Sequence, residues 1–373
     1  MLSVALRQKL SEFSLEISFE APPGVTVLFG GSGSGKTTVV NAVAGLNRPE
    51  TGHVALNDRV LFDLDRGIWL PPHRRRIGYI FQEGRLFPHL TVQQNLLFGR
   101  WFAPKGAARE DLDRIVTMLG IAPLLSRQPG DLSGGEKQRV AIGRALLASP
   151  DLILADEPLA ALDEARKEEI LPYFERLRDE VKIPVLYVSH SAAEVARLAT
   201  SVVVLQDGKV QRQGSAAEVL SDDRVMPTGV RAAGALLEAR LKRHHPDGLS
   251  ELEAGGLPLF LPQLRQNPGS LLRVRILAQD VILSRHKPEG LSALNILPGT
   301  VQHIRGGNGP GAMVSLKTDA GRVLARITQR SAKALELEEG IHCYAVVKSV
   351  AIARGDVSGK IHGDAGSKLG ETP

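Results

Sequence analysis

The sequence predicts an α/β domain followed by a small all-β barrel. Over residues 25–220, short β-branched runs alternate with helical stretches, which is the pattern of a parallel sheet covered by helices. The composition shifts near residue 230, and after residue 270 six short strand-like runs are separated by glycine-containing turns. A chain of 373 residues with 43% hydrophobic residues is long enough to fill two cores.

In the first domain, the strands are predicted from apolar runs that are short and β-branched. Val25–Phe29 reads as a buried strand that leads into a glycine-rich loop, and residues 152–155, 185–188 and 202–205 read as further strands. Residues 83–147 have a mainly helical pattern, so we expect a helical subdomain there.

The second half is predicted to begin with a charged helix over residues 232–245, followed by a Pro- and Gly-containing stretch. The six strands of the barrel are expected at residues 272–276, 281–284, 299–304, 312–316, 323–327 and 344–347. The last residues are rich in Gly, Ser and Lys, and we expect them to be disordered.

Composition disfavours several classes of function. Aromatic residues make up only 4% of the chain, which argues against base stacking as its main activity, and the net charge of +5 is only mildly basic. The basic run at residues 74–76 is expected to be a solvated turn. The single cysteine, Cys343, excludes an internal disulfide and fits a reducing compartment. With no signal-peptide core and no apolar run near the roughly 20 residues that span a bilayer, we expect a cytoplasmic protein.

A glycine-rich loop at residues 30–37 gives the first chemical signal. It fits the pattern G-x-x-x-x-G-K-[ST] between a predicted strand and a predicted helix, where backbone N–H groups and the helix N-terminus face phosphate. Lys36 can reach the β- and γ-phosphates, and the Thr37 hydroxyl can ligate Mg²⁺. The predicted nucleotide contacts in this segment are Gly30, Gly31, Ser32, Gly33, Ser34, Gly35, Lys36, Thr37 and Thr38.

An acidic pair ends the predicted strand at residues 152–155. A carboxylate at the C-terminal end of such a strand faces the ligand crevice of an open α/β sheet. Asp156 suits the Mg²⁺ shell, through water, and Glu157 is the candidate base that orients and activates the attacking water.

Residues 131–139 read Asp-Leu-Ser-Gly-Gly-Glu-Lys-Gln-Arg and precede the acidic pair by the length of one helix, a turn and a strand. This order resembles the ATP-binding-cassette (ABC) family. The resemblance implies that Ser133, Gly134 and Gly135 cap the nucleotide of a second copy, so that a homodimer encloses two molecules of ATP with Mg²⁺. This chain has Glu136 where another common form of the motif has Gln.

The same resemblance implies further roles for single residues. Gln82 matches a glutamine that senses Mg²⁺ and the attacking water, and His190 matches a histidine that contacts the γ-phosphate. Phe13 is placed against the adenine ring, with a core position in an edge strand as the alternative. Residues 86–88 would receive a coupling helix from a membrane permease.

The predicted barrel resembles the Mop domain, of the Mop/TOBE type, that follows the ATPase of molybdate importers. The resemblance rests on residues 292–295, 297–299, 324–331, 335–340 and 348–349. It implies that molybdate is a regulatory ligand, held by hydroxyl, amide and cationic donors from Ser292, Asn295, Ser331 and Lys348. Many such domains have Arg where this chain has Leu294, so a barrel that serves only dimerisation or regulation stays open.

These observations divide the chain into residues 1–230 (the ABC ATPase domain), 231–290 (a linker and the start of the regulatory region), 291–356 (the Mop-type domain) and 357–373 (a disordered tail). We expect ATP hydrolysis that energises molybdate import through permease subunits, which a solute-binding protein supplies, at the cytoplasmic face of the inner membrane. Tungstate or sulfate import is the nearest alternative. A soluble ABC ATPase acting on nucleic acid or ribosomes is disfavoured, because the chain has no second cassette and no long coiled coil, and an oxyanion sensor or store would not need the hydrolytic residues.

Overall fold

The computed structural model describes residues 1–9, 13–102, 111–160, 162–180, 183–222, 233–306 and 309–359. The helices of this part of the chain are α1 Lys36–Ala44, α2 Val92–Phe98, α3 Leu112–Leu119, α4 Gly134–Leu147, α5 Glu164–Glu180, α6 Ala192–Leu198, α7 Ala216–Leu220 and α8 Gln329–Ala334. None of them is both long and apolar enough to cross a membrane.

The first domain is built on one mixed sheet of eleven strands, in the order β6-β5-β4-β1-β2-β11-β10-β3-β9-β8-β7. The strands are β1 Leu2–Lys9, β2 Ser14–Ala21, β3 Val25–Phe29, β4 Thr51–Leu56, β5 Arg59–Asp63, β6 Ile68–Trp69, β7 Ile77–Ile80, β8 Leu152–Asp156, β9 Val185–Ser189, β10 Ser201–Gln206 and β11 Lys209–Gly214. The strands predicted at residues 152–155, 185–188 and 202–205 are confirmed, and α2, α3 and α4 confirm the helical subdomain.

Strands β10, β3, β9, β8 and β7 run parallel and are covered on both faces, so β3 and β9 are buried at every residue. Neighbouring residues of β3 enter different cores: Val27 packs on the α6 side and Leu28 on the α1 side. The register pairs Phe29 with Ser189 and Asp156 with Val188. The carboxyl ends of β3, β8 and β9 therefore meet at one edge of the sheet.

The expectation that residues 74–76 form a solvated basic turn is wrong for Arg75, because its side chain is fully buried. Its Nη1 donates to the carbonyl oxygens of Ala42 and Val43, both at 2.8 Å, and its guanidinium lies 4.7 Å from the Trp69 ring centroid. Burial lowers the pKa of the guanidinium to about 10. Since the last carbonyls of a helix carry partial negative charge, this cation caps α1 at the end opposite the glycine-rich loop.

The second half of the chain forms two five-stranded sheets, and one of them curls as a half-barrel. Their orders are β14-β13-β12-β15-β21 and β16-β20-β17-β18-β19. The strands are β12 Gly234–His244, β13 Leu249–Ala254, β14 Leu257–Pro262, β15 Leu271–Leu277, β16 Val281–Ser284, β17 Asn295–Gly306, β18 Gly311–Thr318, β19 Gly321–Thr328, β20 His342–Val347 and β21 Val357–Gly359. All six strands predicted for the barrel are present, but the first of them, β15, belongs to the sheet of β12 rather than to the sheet that holds the other five.

Two expectations for this half are wrong. The helix predicted over residues 232–245 is the strand β12, in which Leu237, Ala239 and Leu241 are buried while Glu238 and Arg240 are exposed. That alternation has the period of a strand. The first three residues of the predicted disordered tail form β21, which pairs with β15; residues 360–373 lie outside the described residues.

The second half packs directly on the first domain. Leu236, Met313 and Leu324 belong to the same continuous cluster of buried apolar side chains as the helical face of the first sheet. Arg273 of β15 also donates a hydrogen bond of 2.9 Å to the carbonyl oxygen of Ala199, just after α6. The two halves therefore share one core at this junction.

Candidate ATP site

A cavity of about 390 Å³ opens at the sheet edge where β3 and β8 end. Every residue of its lining was predicted to bind nucleotide or metal, or to activate water. The lining residues are Phe13, Ser32, Gly33, Gly35, Lys36, Thr37, Thr38, Gln82, Asp156 and Glu157. The fold thus brings together side chains that are up to 144 residues apart, from residue 13 to residue 157.

The glycine-rich loop has a backbone that only glycine adopts easily at two of its positions. Gly33 and Gly35 have φ values of 78° and 101°, in the left-handed region. At Gly30, a Cβ atom would lie only 2.5 Å from the Leu205 carbonyl oxygen. The helix α1 starts within this segment, at Lys36, and has no acidic residue in its first turn, so its N–H groups favour an anion.

Lys36 is held against this loop by backbone carbonyls. Its Nζ donates to the oxygens of Gly30 and Gly31 at 2.9 and 2.8 Å, and it lies 3.9 Å from Glu157 Oε1. The side chain is only 5% exposed, and burial lowers the pKa of the ammonium, an effect that the nearby carboxylates oppose. The lysine is therefore fixed in place before any phosphate arrives.

Asp156 has both carboxylate oxygens engaged. Thr37 Oγ1 donates to Oδ1 at 3.4 Å, and the Tyr79 hydroxyl donates to Oδ2 at 3.3 Å. Burial raises the pKa of this carboxyl, and the bonds from Tyr79 and Thr37 oppose the rise. A hydroxyl and a carboxylate at this separation are the hard oxygen donors that Mg²⁺ prefers, so the residues fit that ion. Tyr79 was not predicted to belong to the site.

Glu157 has a strained backbone, with φ of 44°, which costs roughly 1–3 kcal/mol in a residue other than glycine. Its N–H donates to the Val188 carbonyl at 3.2 Å, which anchors the turn to β9. The carboxylate lies between Lys36 and His190: Oε1 is 3.9 Å from Lys36 Nζ, and Oε2 is 3.4 Å from His190 Nδ1. Such strain is found where a turn must aim a side chain into a site.

The segment around Ser133 forms the start of α4. The Ser133 N–H donates to Glu136 Oε2 at 2.7 Å, and Ser133 Oγ accepts from the Glu136 N–H at 3.3 Å, which makes a capping box. These hydrogen bonds lower the pKa of Glu136. In the described part of the chain, Ser133, Gly134 and Gly135 are absent from the lining of the cavity that holds Lys36.

A second cavity, of about 520 Å³, lies beside α4 and shares Gln82 with the first. Its wall includes residues 82–86, Pro88, Gly134 and Leu162. Arg144 on α4 supports this wall by donating to the carbonyl oxygens of Arg85 and Gly84 at 2.9 and 3.1 Å. Leu86 and Pro88, in the segment expected to meet a permease, therefore border an open groove that extends to Gln82.

The four residues expected to hold an oxyanion do not line one cavity. Asn295 is fully buried, and its amide is occupied by the backbone of Phe260, accepting from N at 2.6 Å and donating to O at 3.0 Å. This pairing fastens β17 to β14, which gives Asn295 a structural role. Ser331 lines a cavity of about 750 Å³ with Arg326 and Thr328.

Ser292 and Lys348 occur elsewhere in the barrel and are both exposed. The register of β17 with β20 pairs Asn295 with Val347, which brings the segments that carry Ser292 and Lys348 to the same end of the sheet. Leu294, at the position where the resemblance led us to expect Arg, is 51% exposed.

Comparison with known proteins identifies two family models in the chain. An ABC transporter model matches residues 15–160, and a TOBE domain model matches residues 291–353. The solved structure of cbiO1 from Clostridium perfringens, part of the ABC transporter complex cbiONQ, is 28% identical, with a TM-score of 0.51. It covers 60% of this chain and 92% of its own. The fold class predicted from the sequence is confirmed.

Curated relatives match this chain over nearly its full length, and two of them are described here. The molybdenum import ATP-binding protein ModC of Mesorhizobium japonicum is 52% identical over 353 residues, which are 94% of this chain and 95% of that protein. ModC of Paramagnetospirillum magneticum is 45% identical over 360 residues, or 96% and 99% of the two chains. The chain therefore belongs to the family of molybdenum import ATP-binding proteins, the ModC-type ATPases of ABC transporters.

Proposed function

We propose that this chain hydrolyses ATP to energise molybdate import through a membrane permease, and that it acts as a homodimer. The observation that carries the proposal is the convergence of Lys36, Asp156 and Glu157 on one cavity at the sheet edge, in a chain about half identical to molybdenum import ATP-binding proteins. The permease would be supplied by a solute-binding protein, and the ATPase would lie at the cytoplasmic face of the inner membrane.

In the proposed reaction, the loop at residues 30–37 binds the phosphates with backbone N–H groups, and the Lys36 ammonium neutralises the β- and γ-phosphates. Thr37 and Asp156, with Gln82 nearby, would hold Mg²⁺, which supplies charge neutralisation of the phosphate oxygens when bound. Phe13 lies at the cavity wall beside the loop, where it can stack on the adenine.

Glu157 is the proposed base. Its carboxylate is held at the mouth of the loop by the strained turn, so that it can orient a water molecule in line with the γ-phosphate and accept its proton. His190 lies 3.4 Å from Glu157 and is half-exposed, so it can contact the γ-phosphate and report its presence to the rest of the chain.

The proposed homodimer would bring the segment around Ser133 to the ATP site of the second copy. Ser133, Gly134 and Gly135 begin a fourteen-residue helix whose dipole favours an anion, although Glu136 already accepts the Ser133 N–H. These three residues lie outside the described lining of their own chain's phosphate cavity. We propose that they cap the nucleotide of a second copy. The groove around Gln82 and residues 84–88 is the proposed contact with the permease.

A transport assay tests this function. We expect that the chain, reconstituted with its permease in vesicles, hydrolyses ATP faster when a molybdate-loaded solute-binding protein is added. The same binding protein without oxyanion is the control, and tungstate- and sulfate-loaded samples test specificity. Stimulation by sulfate but not by molybdate would contradict the assigned cargo.

We also propose that molybdate is a regulatory ligand of the second domain, with Ser292, Ser331 and Lys348 as donors contributed across two barrels. The Lys348→Ala variant of the full chain is expected to bind molybdate about 10-fold more weakly in calorimetric titration, because one charge-assisted hydrogen bond is lost. Leu294→Arg should strengthen binding by a similar factor, since it adds a cation. Lys317→Ala, an exposed lysine of the same sheet, is the control. Absence of molybdate binding in the full chain would leave the barrel with only a dimerisation or regulatory role.

A further inference from the structure

A buried carboxylate lies behind the turn that carries His190. Glu194, on α6, is only 6% exposed, and its Oε2 accepts hydrogen bonds from the Tyr187 hydroxyl at 2.9 Å and from Ser189 Oγ at 2.8 Å. Burial raises the pKa of this carboxyl, and the two hydrogen bonds oppose the rise. Burying a carboxylate costs several kcal/mol unless it is well bonded, so the position of Glu194 is not explained by apolar packing.

Helix capping does not account for Glu194. In the part of the chain that the structure describes, three other helices have capping boxes, in which the side chain three positions after the N-cap accepts the N-cap N–H directly: Gln94 from Thr91 in α2, Glu136 from Ser133 in α4, and Glu218 from Ser215 in α7. In α6 the equivalent residue is Glu194 and the N-cap is Ser191, but the Ser191 N–H donates instead to Ser189 Oγ at 2.9 Å.

The Ser189 hydroxyl is therefore inserted between the helix cap and the carboxylate. It accepts from Ser191 and donates to Glu194, so the last residue of β9 is joined to the first turn of α6. His190 is the one residue between Ser189 and Ser191. The chain on both sides of His190 is thus fixed by bonds that converge on Glu194, while its imidazole stays half-exposed, 3.4 Å from Glu157.

We infer that Ser189 and Glu194 are positioning residues for His190, which hold the turn so that its imidazole faces Glu157 and the γ-phosphate. This inference rests on the proposed role of His190. It assigns no contact with ATP to Ser189 or Glu194, so their loss changes the geometry of the turn and leaves the phosphate loop intact.

The chain offers a matched pair of variants. Ser189→Ala removes the hydroxyl that joins Ser191 to Glu194, whereas Tyr187→Phe removes the other donor to the same carboxylate and leaves that link in place. We expect Ser189→Ala to lower kcat for ATP hydrolysis roughly 10-fold, because a small misplacement of a reacting group has effects of this size or larger. The KM for ATP should stay within about twofold. Tyr187→Phe should keep kcat near that of the unaltered protein.

Glu194 gives a second and independent test. Glu194→Leu is expected to reproduce the loss of kcat in Ser189→Ala, and the two changes combined should lower kcat no further, since they break the same link. Glu194→Gln retains an oxygen that can accept from Ser189 and should restore most of the turnover. A Glu194→Gln protein as slow as Glu194→Leu would overturn the inference.

His190→Ala, measured in parallel, separates the role of His190 from the positioning role of Ser189 and Glu194. If His190→Ala retains full turnover, the proposed role of His190 fails and the positioning role fails with it. If His190→Ala loses turnover but Ser189→Ala behaves like Tyr187→Phe, only the positioning role fails. Equal losses of kcat and ATP affinity in Ser189→Ala would indicate general damage to the fold and would also overturn it.

Discussion

Glu157→Gln is expected to lower ATP turnover by at least about 100-fold, because general bases contribute about 10²- to 10⁴-fold and an amide cannot accept the proton from water. ATP binding should persist, since Gln removes one negative charge near Lys36 and leaves the loop unchanged. Stable ATP-bound dimers should therefore accumulate. The measurements are steady-state phosphate release and the mass of the protein with and without ATP.

The substitution is well matched to its site. Glu157 has a positive φ, and Gln meets the same backbone strain as Glu, so a loss of turnover cannot come from a changed turn. Glu20→Gln is the control, because Glu20 is an exposed carboxylate on β2 and does not belong to the lining of the ATP cavity. A Glu157→Gln protein with more than a tenth of normal turnover would remove Glu157 from the role of base.

Lys36→Met is expected to weaken ATP binding by roughly 100-fold, which corresponds to about 3 kcal/mol, the upper end for a hydrogen bond to a charged group. Methionine retains much of the apolar stem and removes the ammonium that the carbonyls of Gly30 and Gly31 hold at the loop. Fluorescent-nucleotide titration would measure the change in affinity.

Lys209→Ala is the control for this variant, because Lys209 is an exposed lysine on β11. Thermal unfolding of both variants shows whether the fold is retained. If Lys36→Met binds ATP as tightly as the unaltered chain while remaining folded, the phosphates do not lie at this loop.

Local motifs made much of the ATP site predictable. The glycine pattern, the acidic pair and the residues after β7 and β9 each depend on neighbours within a few positions, and a parallel sheet brings strand ends together by its topology. Tyr79 and Arg75 were missed because their partners, Asp156 and the end of α1, are 77 and about 33 residues away. A tyrosine in an apolar strand carries no local sign of such a contact.

The second half shows where local propensity fails. Residues 235–243 are rich in Ala, Leu, Glu, Arg and Lys, which are strong helix formers, yet they pair with β13 and β15 as a strand. The alternation of Leu237, Ala239 and Leu241 was the available signal. Asn295 resembled a ligand for the same kind of reason, because its partner Phe260 is 35 residues away.

The shared core at the junction of the two halves limits how such chains can be recombined. Leu236, Met313 and Leu324 are each less than a tenth exposed, and Arg273 is bonded to the end of α6. A chain cut after residue 230, or joined there to an unrelated barrel, would leave part of the ATPase core without its apolar cover. Exchange of C-terminal barrels between transporters, in evolution or in engineered chimeras, therefore requires that the surface of the recipient ATPase change together with the barrel.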